Sequence, residues 1–583
     1  MVFFFMIRSV LFFIIILCFH HSILASEFTI KKELEFIVTN DLKLSVNEKV
    51  SLTNNFSQIY PTQYSYTITS AKPLNITAHD SEGNILSKST PQDNSTVILL
   101  KFNRPKIGKN QVTEFDISYQ LNNQITKRGQ NYDLFLPSST ALTTLTKATL
   151  QAPTWLGPLV NHQSSPTRPS ATTLLYNLNQ LLFSEPQRLL FGHQQIFDFD
   201  LIYQLDNTHP EPQLFQIPLP PTTDRQKVVF KSITPQPQNI TIDPDGNYLA
   251  QFQLPPSTKL DISAVGQIKL FPINTHKGTS LASHLQSQTV WPVADPSIQA
   301  IASALTTPKD IYQYVVNTLS YNYNFSTSLG RVGALGALQN PGSSLCTEFT
   351  DLFITLARSK NIASREIEGY VLTNNPRLRP SNPNTDFLHA WPQYFDPKSH
   401  SWIEIDPTWA KTTNGLDYFN SLDLNHIILV IHGQDSQNPP APGFYKRTNN
   451  LTTVNIKLAN DELIIPRVSP QLKLIHSAAA SKLIITNPNP FTLNNLSLTQ
   501  ANWQKTMPVL APFSHTEIDF RLPTFPQSLL PRNRYLKFQL SENNQTYSQS
   551  IKNPLHFTHL VITLTSAVII LLTSAIIIAR RYD

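Results

Sequence analysis

The chain has 583 residues and a formal net charge of +6, from 45 lysines and arginines against 39 aspartates and glutamates. This length is too great for one hydrophobic core, so we expect three to five domains. The mild charge is spread along the chain, without a basic stripe that carries interleaved aromatic residues, which argues against nucleic acid as a partner.

Residues 1–25 predict a secretory signal peptide. Arg8 precedes an apolar run from Ser9 to Phe19, and Ala25 offers a cleavage position. An uncleaved membrane anchor is the alternative. In either case, the segment predicts that the residues after it are exported.

Residues 558–579 predict a single transmembrane helix. The stretch from Leu560 to Ile578 carries no charge, and its nineteen residues approach the roughly 20 that a spanning helix needs. Two arginines follow directly, so residues 580–583 are expected to form a short cytoplasmic tail. The pattern predicts a single-pass protein of the plasma membrane with its N-terminal ectodomain outside.

Alternating apolar and polar residues predict β-sandwich modules on both sides of a mixed central region. We expect one or two modules over residues 27–192 and a further β-sandwich domain over residues 193–290. A linker over residues 433–455 should precede a C-terminal immunoglobulin-like sandwich over residues 456–555.

The segment DPDGN places Asp243, Asp245 and Asn247 at the spacing with which a calcium loop begins. An EF-hand loop needs an acidic residue at its twelfth position, where this chain has Leu254. Strand patterns flank the segment on both sides, so it predicts a hairpin turn rather than a metal site.

Residues 291–432 change from strand to helix periodicity. Asp295-Pro296 and Thr307-Pro308 each place a capping residue before a proline, which is typical of the start of a helix. This part of the chain therefore predicts a core that mixes helices with strands.

Cys346 is the one cysteine that we expect to remain in the exported chain, because Cys18 is lost with the signal. Exported domains usually pair their cysteines in disulfides. A lone thiol is either reactive or a small buried apolar group, and the cysteine count alone leaves both possibilities open.

The residues after Cys346 predict an amphipathic helix. Apolar side chains recur at the spacing of one helix face, at Phe349, Leu352, Phe353, Leu356 and Ala357. Ser344 is the predicted N-cap, which places Cys346 in the first turn, where the helix dipole and free amide groups favour the thiolate. We expect the helix to end near Ser359, with Asn361 in the left-handed conformation.

Two strand patterns flank the turn Asp396–Ser399 and predict a hairpin. In this register Trp391 faces Glu404 and His389 faces Asp406, so the last two would lie side by side. A slip of one residue would place them on opposite faces. Glu404 lies on the same predicted face and is an alternative partner for the histidine.

Three ordered blocks resemble the transglutaminase-like domain, a branch of the papain-like thiol fold. They are CTEFTDLFITLARSKNIASREIEGYV, HAW and DPTW, within residues 294–432. The resemblance implies that Cys346 is the nucleophile, that His389 is the general base and acid, and that Asp406 orients the imidazole.

Other positions match or depart from this family. The strand that follows the catalytic helix is matched at Arg365, Gly369 and Tyr370. Ser344 stands where the family usually has glycine, which would alter how closely a substrate backbone approaches the thiol.

The predicted architecture is multidomain, with β-sandwich modules flanking an α+β transglutaminase-like (papain-like) core and one C-terminal transmembrane helix. The predicted function is that of a cell-surface thiol acyltransferase or hydrolase, in which Cys346 attacks a glutamine carboxamide or a peptide bond and forms a thioester. The backbone amide of Cys346 is the expected oxyanion donor, with Asn340 as an alternative. Lysine attack would give a cross-link and water attack would give proteolysis or deamidation, and the sequence does not choose between them.

A catalytically silent surface adhesion or scaffold protein with a transglutaminase-like binding module is the alternative. The large share of predicted β-sandwich favours it, whereas the complete set of cysteine, histidine and aspartate favours the enzyme. For the enzyme we expect protein or peptide substrates at the cell surface or envelope, a membrane contact through the C-terminal helix, and neither a cofactor nor a metal ion.

Overall fold

The computed structural model describes residues 26–138, 144–162, 175–178, 186–323, 330–373, 388–413, 416–448, 451–477, 480–542 and 545–582. The predicted signal peptide, residues 1–25, lies outside these ranges. The chain divides into two compact units, one of residues 1–128 and 132–191 and one of residues 129–131 and 192–583.

The first unit is built from strands. They are β1 (Phe28–Val38), β2 (Leu44–Asn54), β3 (Gln63–Thr69), β4 (Pro73–Asp80), β5 (Gly83–Asn84), β6 (Leu86–Gln92), β7 (Ser95–Lys101), β8 (Val112–Leu121), β9 (Ile125–Arg128), β10 (Asn131–Leu136), β11 (Thr144–Gln151), β12 (Leu159–His162), β13 (Leu175–Asn177) and β14 (Gln187–Phe191). Their sheets have the orders β13-β11-β1-β2-β8-β4-β5, β12-β14-β10-β9 and β3-β7-β6.

The side chains of these strands alternate between the interior and the solvent. In β2 every second residue from Leu44 is buried, as expected for a sheet with one covered face. Glu48 is a charged exception on the buried face, and its carboxylate lies 2.5 Å from the buried ammonium of Lys32 on β1. The pairing follows from the high cost of an unpaired buried charge.

The second unit mixes strands with helices. Its strands are β15 (Gln195–Asp206), β16 (Gln213–Leu219), β17 (Gln226–Thr234), β18 (Asn239–Ile242), β19 (Tyr248–Leu254), β20 (Lys259–Leu270), β21 (Thr275–Lys277), β22 (Ser364–Val371), β23 (His389–Asp396), β24 (Ser401–Glu404), β25 (His426–His432), β26 (Val454–Leu458), β27 (Gln471–His476), β28 (Ser481–Thr486), β29 (Leu493–Gln500), β30 (Trp503–Leu510), β31 (His515–Asp519), β32 (Tyr535–Glu542) and β33 (Gln545–Lys552). Its helices are α1 (Pro296–Ser303), α2 (Pro308–Thr318), α3 (Gly333–Gln339), α4 (Cys346–Ser359), α5 (Pro407–Thr412) and α6 (Pro554–Tyr582).

The first part of the second unit contains the sheets β17-β20-β15-β26 and β16-β19-β18. Strand β26 reaches this sheet from beyond the core and pairs with β15. Residues 454–458 therefore belong to the sheet β17-β20-β15-β26, whereas the sequence pattern predicted that the C-terminal domain starts at residue 456. Alternating residues indicate a strand, but they do not indicate which sheet the strand joins.

The segment DPDGN is a turn, as predicted. It joins the paired strands β18 and β19, in which Ile242 lies opposite Tyr248. The Asp243 carboxylate accepts the backbone N–H of Asn247 at 2.8 Å and thereby closes the turn.

The core contains the antiparallel sheet β21-β24-β23-β22-β25 and helices α1 to α5. Strand β21 pairs with β24, so the core sheet includes residues 275–277, which the sequence assigned to the preceding β domain. Three predicted helix boundaries are confirmed. Asp295 and Thr307 cap α1 and α2 with their side chains, and Asn361 after α4 has a φ of 59°.

Helix α4 is buried on all sides, although its amphipathic pattern suggests one buried face. The predicted apolar positions are fully buried. On the polar side, Asp351 accepts the indole N–H of Trp291 at 2.7 Å and pairs with Arg331. Arg358 donates to the carbonyl oxygen of Ser364 at 2.7 Å. These contacts supply the partners that buried polar groups require.

The C-terminal strands form the sheets β27-β28-β31 and β30-β29-β32-β33 around a hydrophobic cluster of their own. Helix α6 follows and includes the predicted span 558–579. By length and composition, its residues Pro554–Ile578 are sufficient to cross a membrane. The start of the helix packs on the C-terminal strands, where His556 is buried, whereas the apolar stretch from Leu560 to Ile578 is exposed.

Gly369 on β22 lies directly opposite His389 on β23. A Cβ atom at position 369 would lie 2.1 Å from the carbonyl oxygen of Ile427 and 2.6 Å from the Trp391 ring. We expect Gly369→Ala to lower the free energy of unfolding by about 1–3 kcal/mol, measured by tryptophan fluorescence in urea. Gly342→Ala is the control, because a Cβ there meets no atom within 4 Å. Equal losses in both variants would rule out close packing as the cause.

Candidate active site

Cys346 is the first residue of helix α4 and is partly exposed. The prediction of Ser344 as the N-cap is wrong, because Leu345 precedes the helix and the Ser344 hydroxyl donates to the carbonyl oxygen of Pro341 at 3.5 Å. Instead, the Glu348 carboxylate accepts the backbone N–H of Leu345 at 2.9 Å. A glutamate in the first turn can thus reach back to the helix start without help from a serine.

His389 and Asp406 are in contact, with imidazole Nε2 lying 2.8 Å from carboxylate Oδ2. The hairpin register differs from the prediction by two residues, since Phe395 pairs with Trp402 rather than with His400. A shift of two residues keeps every side chain on its face of the sheet. The predicted pair therefore still lies on one side.

Asp406 lies just beyond the strand on which it was expected. Strand β24 ends at Glu404, and Asp406 is the N-cap of helix α5, where its Oδ1 accepts the backbone N–H of Trp409 at 2.9 Å. Glu404, the alternative partner for the histidine, accepts the indole N–H of Trp391 at 3.1 Å. The carboxylate in contact with the histidine is therefore that of Asp406.

The proton positions follow from these contacts. Because the Asp406 carboxylate accepts, His389 Nε2 carries a proton, and Nδ1 is the nitrogen left for Cys346. Burial by itself lowers the pKa of His389, but the charge and hydrogen bond of Asp406, together with a hydrogen bond with Cys346, raise it to about 9. Burial by itself raises the pKa of Asp406, but the two imidazoles in contact with it hold that pKa well below its usual range. The pair can therefore be an imidazolium and a carboxylate at neutral pH.

A second histidine contacts the same carboxylate, and sequence reasoning missed it as a site residue. His426 Nε2 lies 3.0 Å from Asp406 Oδ2, and His426 Nδ1 lies 2.7 Å from Asp423 Oδ1. His426 begins β25, which lies beside β22 in the core sheet. The order of strands in the sheet brings the two imidazoles together. The spacing of His426 and His389 along the sequence therefore gives no sign that they lie close to each other.

Aromatic rings enclose both imidazoles. Trp391 stacks on His389 with ring centroids 5.7 Å apart, and Trp409 packs with its centroid 4.8 Å from that of His426. Such surroundings exclude water and strengthen the electrostatic interactions among the buried groups.

Tyr321 is a further residue near the thiol that spacing did not indicate. Its backbone forms a parallel bridge with Ser344, two residues before Cys346. Burial, followed by the charge of Cys346, raises the pKa of Tyr321. Its phenol therefore stays neutral beside the thiol and can act only as a hydrogen-bonding group.

Among the described residues, His389, Asp406 and His426 are a group whose ligand atoms have the types that bind metal ions and lie within 4.8 Å of one another. Both imidazole N–H groups donate to one oxygen of Asp406, at 2.8 and 3.0 Å. These atoms already satisfy one another. The arrangement is that of a hydrogen-bonded cluster of side chains.

Residues 293–407 match the Transglutaminase-like superfamily. This part of the chain is therefore a transglutaminase-like domain, and it includes Cys346, His389 and Asp406. The chain as a whole is multidomain and mostly β-sheet, with this α+β domain as its core.

The chain is also similar to solved structures. One is a protein from Cytophaga hutchinsonii described as a putative cysteine protease, with 16% identity over 46% of this chain and 86% of that chain and a TM-score of 0.29. A second is the periplasmic domain of TgpA from Pseudomonas aeruginosa, with 13% identity over 38% of this chain and 92% of that chain and a TM-score of 0.21. A third is yeast LTA4 hydrolase, with 10% identity over 28% and 29% and a TM-score of 0.22. No curated protein matches the chain.

Buried histidines make the stability of the core depend on pH. Burial lowers the pKa values of His389 and His426, but the neighbouring carboxylates raise both to about 9, above the ordinary value of about 6.5. The folded state therefore holds these protons more tightly, and their contribution is complete below pH 6.5 and lost as the pH rises through 9. We expect the free energy of unfolding to fall over this window by about 1.4 kcal/mol per pH unit for each histidine.

Asp406→Asn should reduce this slope, because His389 loses the carboxylate that raises its pKa and His426, whose pKa Asp423 also raises, loses one of two. Urea unfolding followed by tryptophan fluorescence at several pH values measures the slope. Asp396→Asn removes a carboxylate from an exposed turn and is the control that should keep the wild-type slope. The same slope in all three proteins would show that Asp406 is not the charge responsible.

Proposed function

We propose that the protein is a cell-surface thiol acyltransferase or hydrolase of the transglutaminase-like type. The observation that carries this proposal is the contact of 2.8 Å between His389 and Asp406, together with the placement of Cys346, which interacts with His389, at the first residue of a buried helix. A nucleophile, a base and a group that orients the base are the three parts that covalent acyl transfer requires.

In the reactive state the proton of the Cys346 thiol lies on Nδ1 of His389, so that a thiolate faces an imidazolium. The thiolate attacks the carbonyl carbon of a glutamine carboxamide or a peptide bond, and the carbonyl electrons move onto the oxygen. When this intermediate collapses, the C–N bond breaks, and the imidazolium gives its proton to the departing ammonia or amine. The product is a thioester on Cys346.

A second nucleophile then releases the acyl group. His389 accepts a proton from water or from a lysine amine as that group attacks the thioester, and the thiol leaves with the proton returned to it. Water gives the carboxylic acid, and lysine gives an isopeptide cross-link. Both outcomes use the same residues, so the choice depends on which nucleophile reaches the thioester first.

The oxyanion needs a donor close to the thiol. The backbone N–H of Cys346 is suitable, because the first amide groups of a helix have no carbonyl partner within that helix. The dipole of α4 adds positive potential at the same place. The nucleophile and its oxyanion donor are then parts of one residue.

We further propose that the substrates are proteins or peptides at the cell surface or envelope and that α6 anchors the chain in the plasma membrane. The exposed apolar residues from Leu560 to Ile578 support the anchor. The arginines near the end of α6 support a cytoplasmic C-terminus. The domains before α6 would then lie outside.

The proposal predicts a reactive thiol–imidazole pair. In the full-length chain in detergent, iodoacetamide should alkylate Cys346 rapidly well below pH 8.5, where a free cysteine reacts slowly, because the neighbouring imidazolium supports the thiolate. His389→Ala should lose this low-pH reactivity. Peptide mass spectrometry follows the modification at Cys346 separately from that at Cys18.

His400→Ala serves as the control, since this exposed histidine lies in the hairpin turn and should leave the profile unchanged. A wild-type thiol that reacts only like free cysteine, or only after unfolding, would exclude the enzyme and favour the silent adhesion or scaffold protein. If the pair is reactive, glutamine peptides with and without an added amine then separate transfer from hydrolysis through the mass of the product.

The anchor is tested by removal of residues 554–583. The shortened chain should move from the membrane pellet to the soluble fraction of fractionated cells, because the spanning segment is lost. Substitution of Leu571 and Leu572 by alanine keeps an apolar helix and is the control that should remain in the pellet. A shortened chain that stays in the pellet after an alkaline wash would overturn anchoring by α6.

A further inference from the structure

Four ionisable side chains form one hydrogen-bonded chain that extends beyond the three residues of the proposed mechanism. In order they are Asp423, His426, Asp406 and His389, and the contacts between neighbours measure 2.7, 3.0 and 2.8 Å. The first three side chains are at most 5% exposed, and that of His389 is 12% exposed. Each of the two histidines in this hydrogen-bonded series contacts at least one carboxylate.

The proton count at His426 follows from its two contacts. Each of its ring nitrogens faces a carboxylate oxygen, of Asp406 on one side and Asp423 on the other. A neutral imidazole has a single N–H and could donate to only one of them. Both contacts are satisfied when both nitrogens carry protons, so His426 is an imidazolium. In agreement, burial lowers the pKa of His426 but the two carboxylates raise it to about 9.

We propose that His426, held in its charged form by Asp423, is a positioning residue that sets the proton affinity of His389 through their shared partner Asp406. The inference rests on the proposed function, in which His389 is the base and acid. The charge of His426 offsets part of the negative charge on Asp406, and its N–H occupies the same oxygen that His389 uses. His389 therefore releases its proton more readily than it would beside an unshared carboxylate, which suits a group that must both accept and donate.

Other charged groups around His426 do not reverse this balance. The Arg225 guanidinium donates to the backbone carbonyl oxygens of His426, at 2.7 Å, and of Asp423. Its positive charge opposes protonation of His426, but two carboxylates contact the imidazole directly. The Tyr418 hydroxyl donates to the other oxygen of Asp423 at 3.0 Å and supports its ionised form. At the other end of the hydrogen-bonded series, the described titratable groups that interact with Asp406 or His389 include Tyr312, Tyr321 and Cys346.

The test measures the charge on His389 through the thiol beside it. The full-length chain in detergent is alkylated with iodoacetate, an anion, and with iodoacetamide, which is neutral, between about pH 5 and pH 10. An imidazolium beside Cys346 attracts the anion. The ratio of the iodoacetate rate to the iodoacetamide rate therefore falls at the pH where His389 loses its proton. Mass spectrometry of the Cys346 peptide gives both rates.

His426→Gln should move this pH upward by about one unit, because Asp406 is then shared with no other cation. Asp423→Asn should move it in the same direction, since His426 loses one of the two carboxylates that keep it charged. His432→Gln is the matched control. It lies on the same strand, is also buried, and pairs with Glu366 at 3.2 Å rather than with Asp406.

The outcomes separate the two proposals. If the wild-type ratio shows no fall with pH, the thiol–imidazole pair of the proposed function is absent. If the wild type shows the fall but neither variant moves it, or a variant moves it downward, His426 does not tune His389. A shift shared by His432→Gln would assign the effect to a general loss of packing. Asp423→Asn provides the answer if His426→Gln does not fold.

Discussion

The buried carboxylate of Asp406 is the group on which the arrangement of the site depends. One of its oxygens caps helix α5 through the backbone of Trp409, and the other accepts from His389 and His426. A buried carboxylate is stable only when such donors surround it. At this site the donors are the proposed base, a second imidazole and a helix start, so one side chain connects β23, β25 and α5.

The helix that carries the thiol, α4, is also fixed in position by contacts of buried side chains. Helix α4 is tied to its surroundings by charged side chains as well as by apolar packing. Arg331 donates to Asp351 on the helix and to Glu366 on β22, the latter at 2.9 Å. Arg358, near the helix end, donates to the carbonyl oxygen of Gly433 at 2.8 Å. The helix that begins with the thiol is therefore fixed against the sheet that carries the histidine, as a reaction between preoriented groups requires.

Features governed by neighbouring residues could be predicted, and those governed by distant ones could not. The helix starts at Asp295 and Thr307 are local, since each depends on a side chain that bonds an amide two or three residues ahead. The hairpin register was missed by two residues, because the four-residue turn lies one position later in the chain than predicted. It comprises residues 397–400 between the paired Asp396 and Ser401, and the Asp396 carboxylate accepts the amide of Ser399. The predicted face of the hairpin for His389 was still correct, because a shift by an even number of residues keeps each side chain on the same face of the sheet.

The sequence by itself determined the presence of a thiol at a helix start, the side of the hairpin on which His389 lies, and the family resemblance of the core. All three depend on residue types at short spacings along the chain. Only the tertiary structure decided that Glu348 rather than Ser344 accepts the amide at the start of α4 and that β26 joins the sheet of β15. It also decided that His426 and Asp423 extend the proposed catalytic set. These contacts depend on which strands lie side by side and which groups burial deprives of water, and short-range patterns do not encode either.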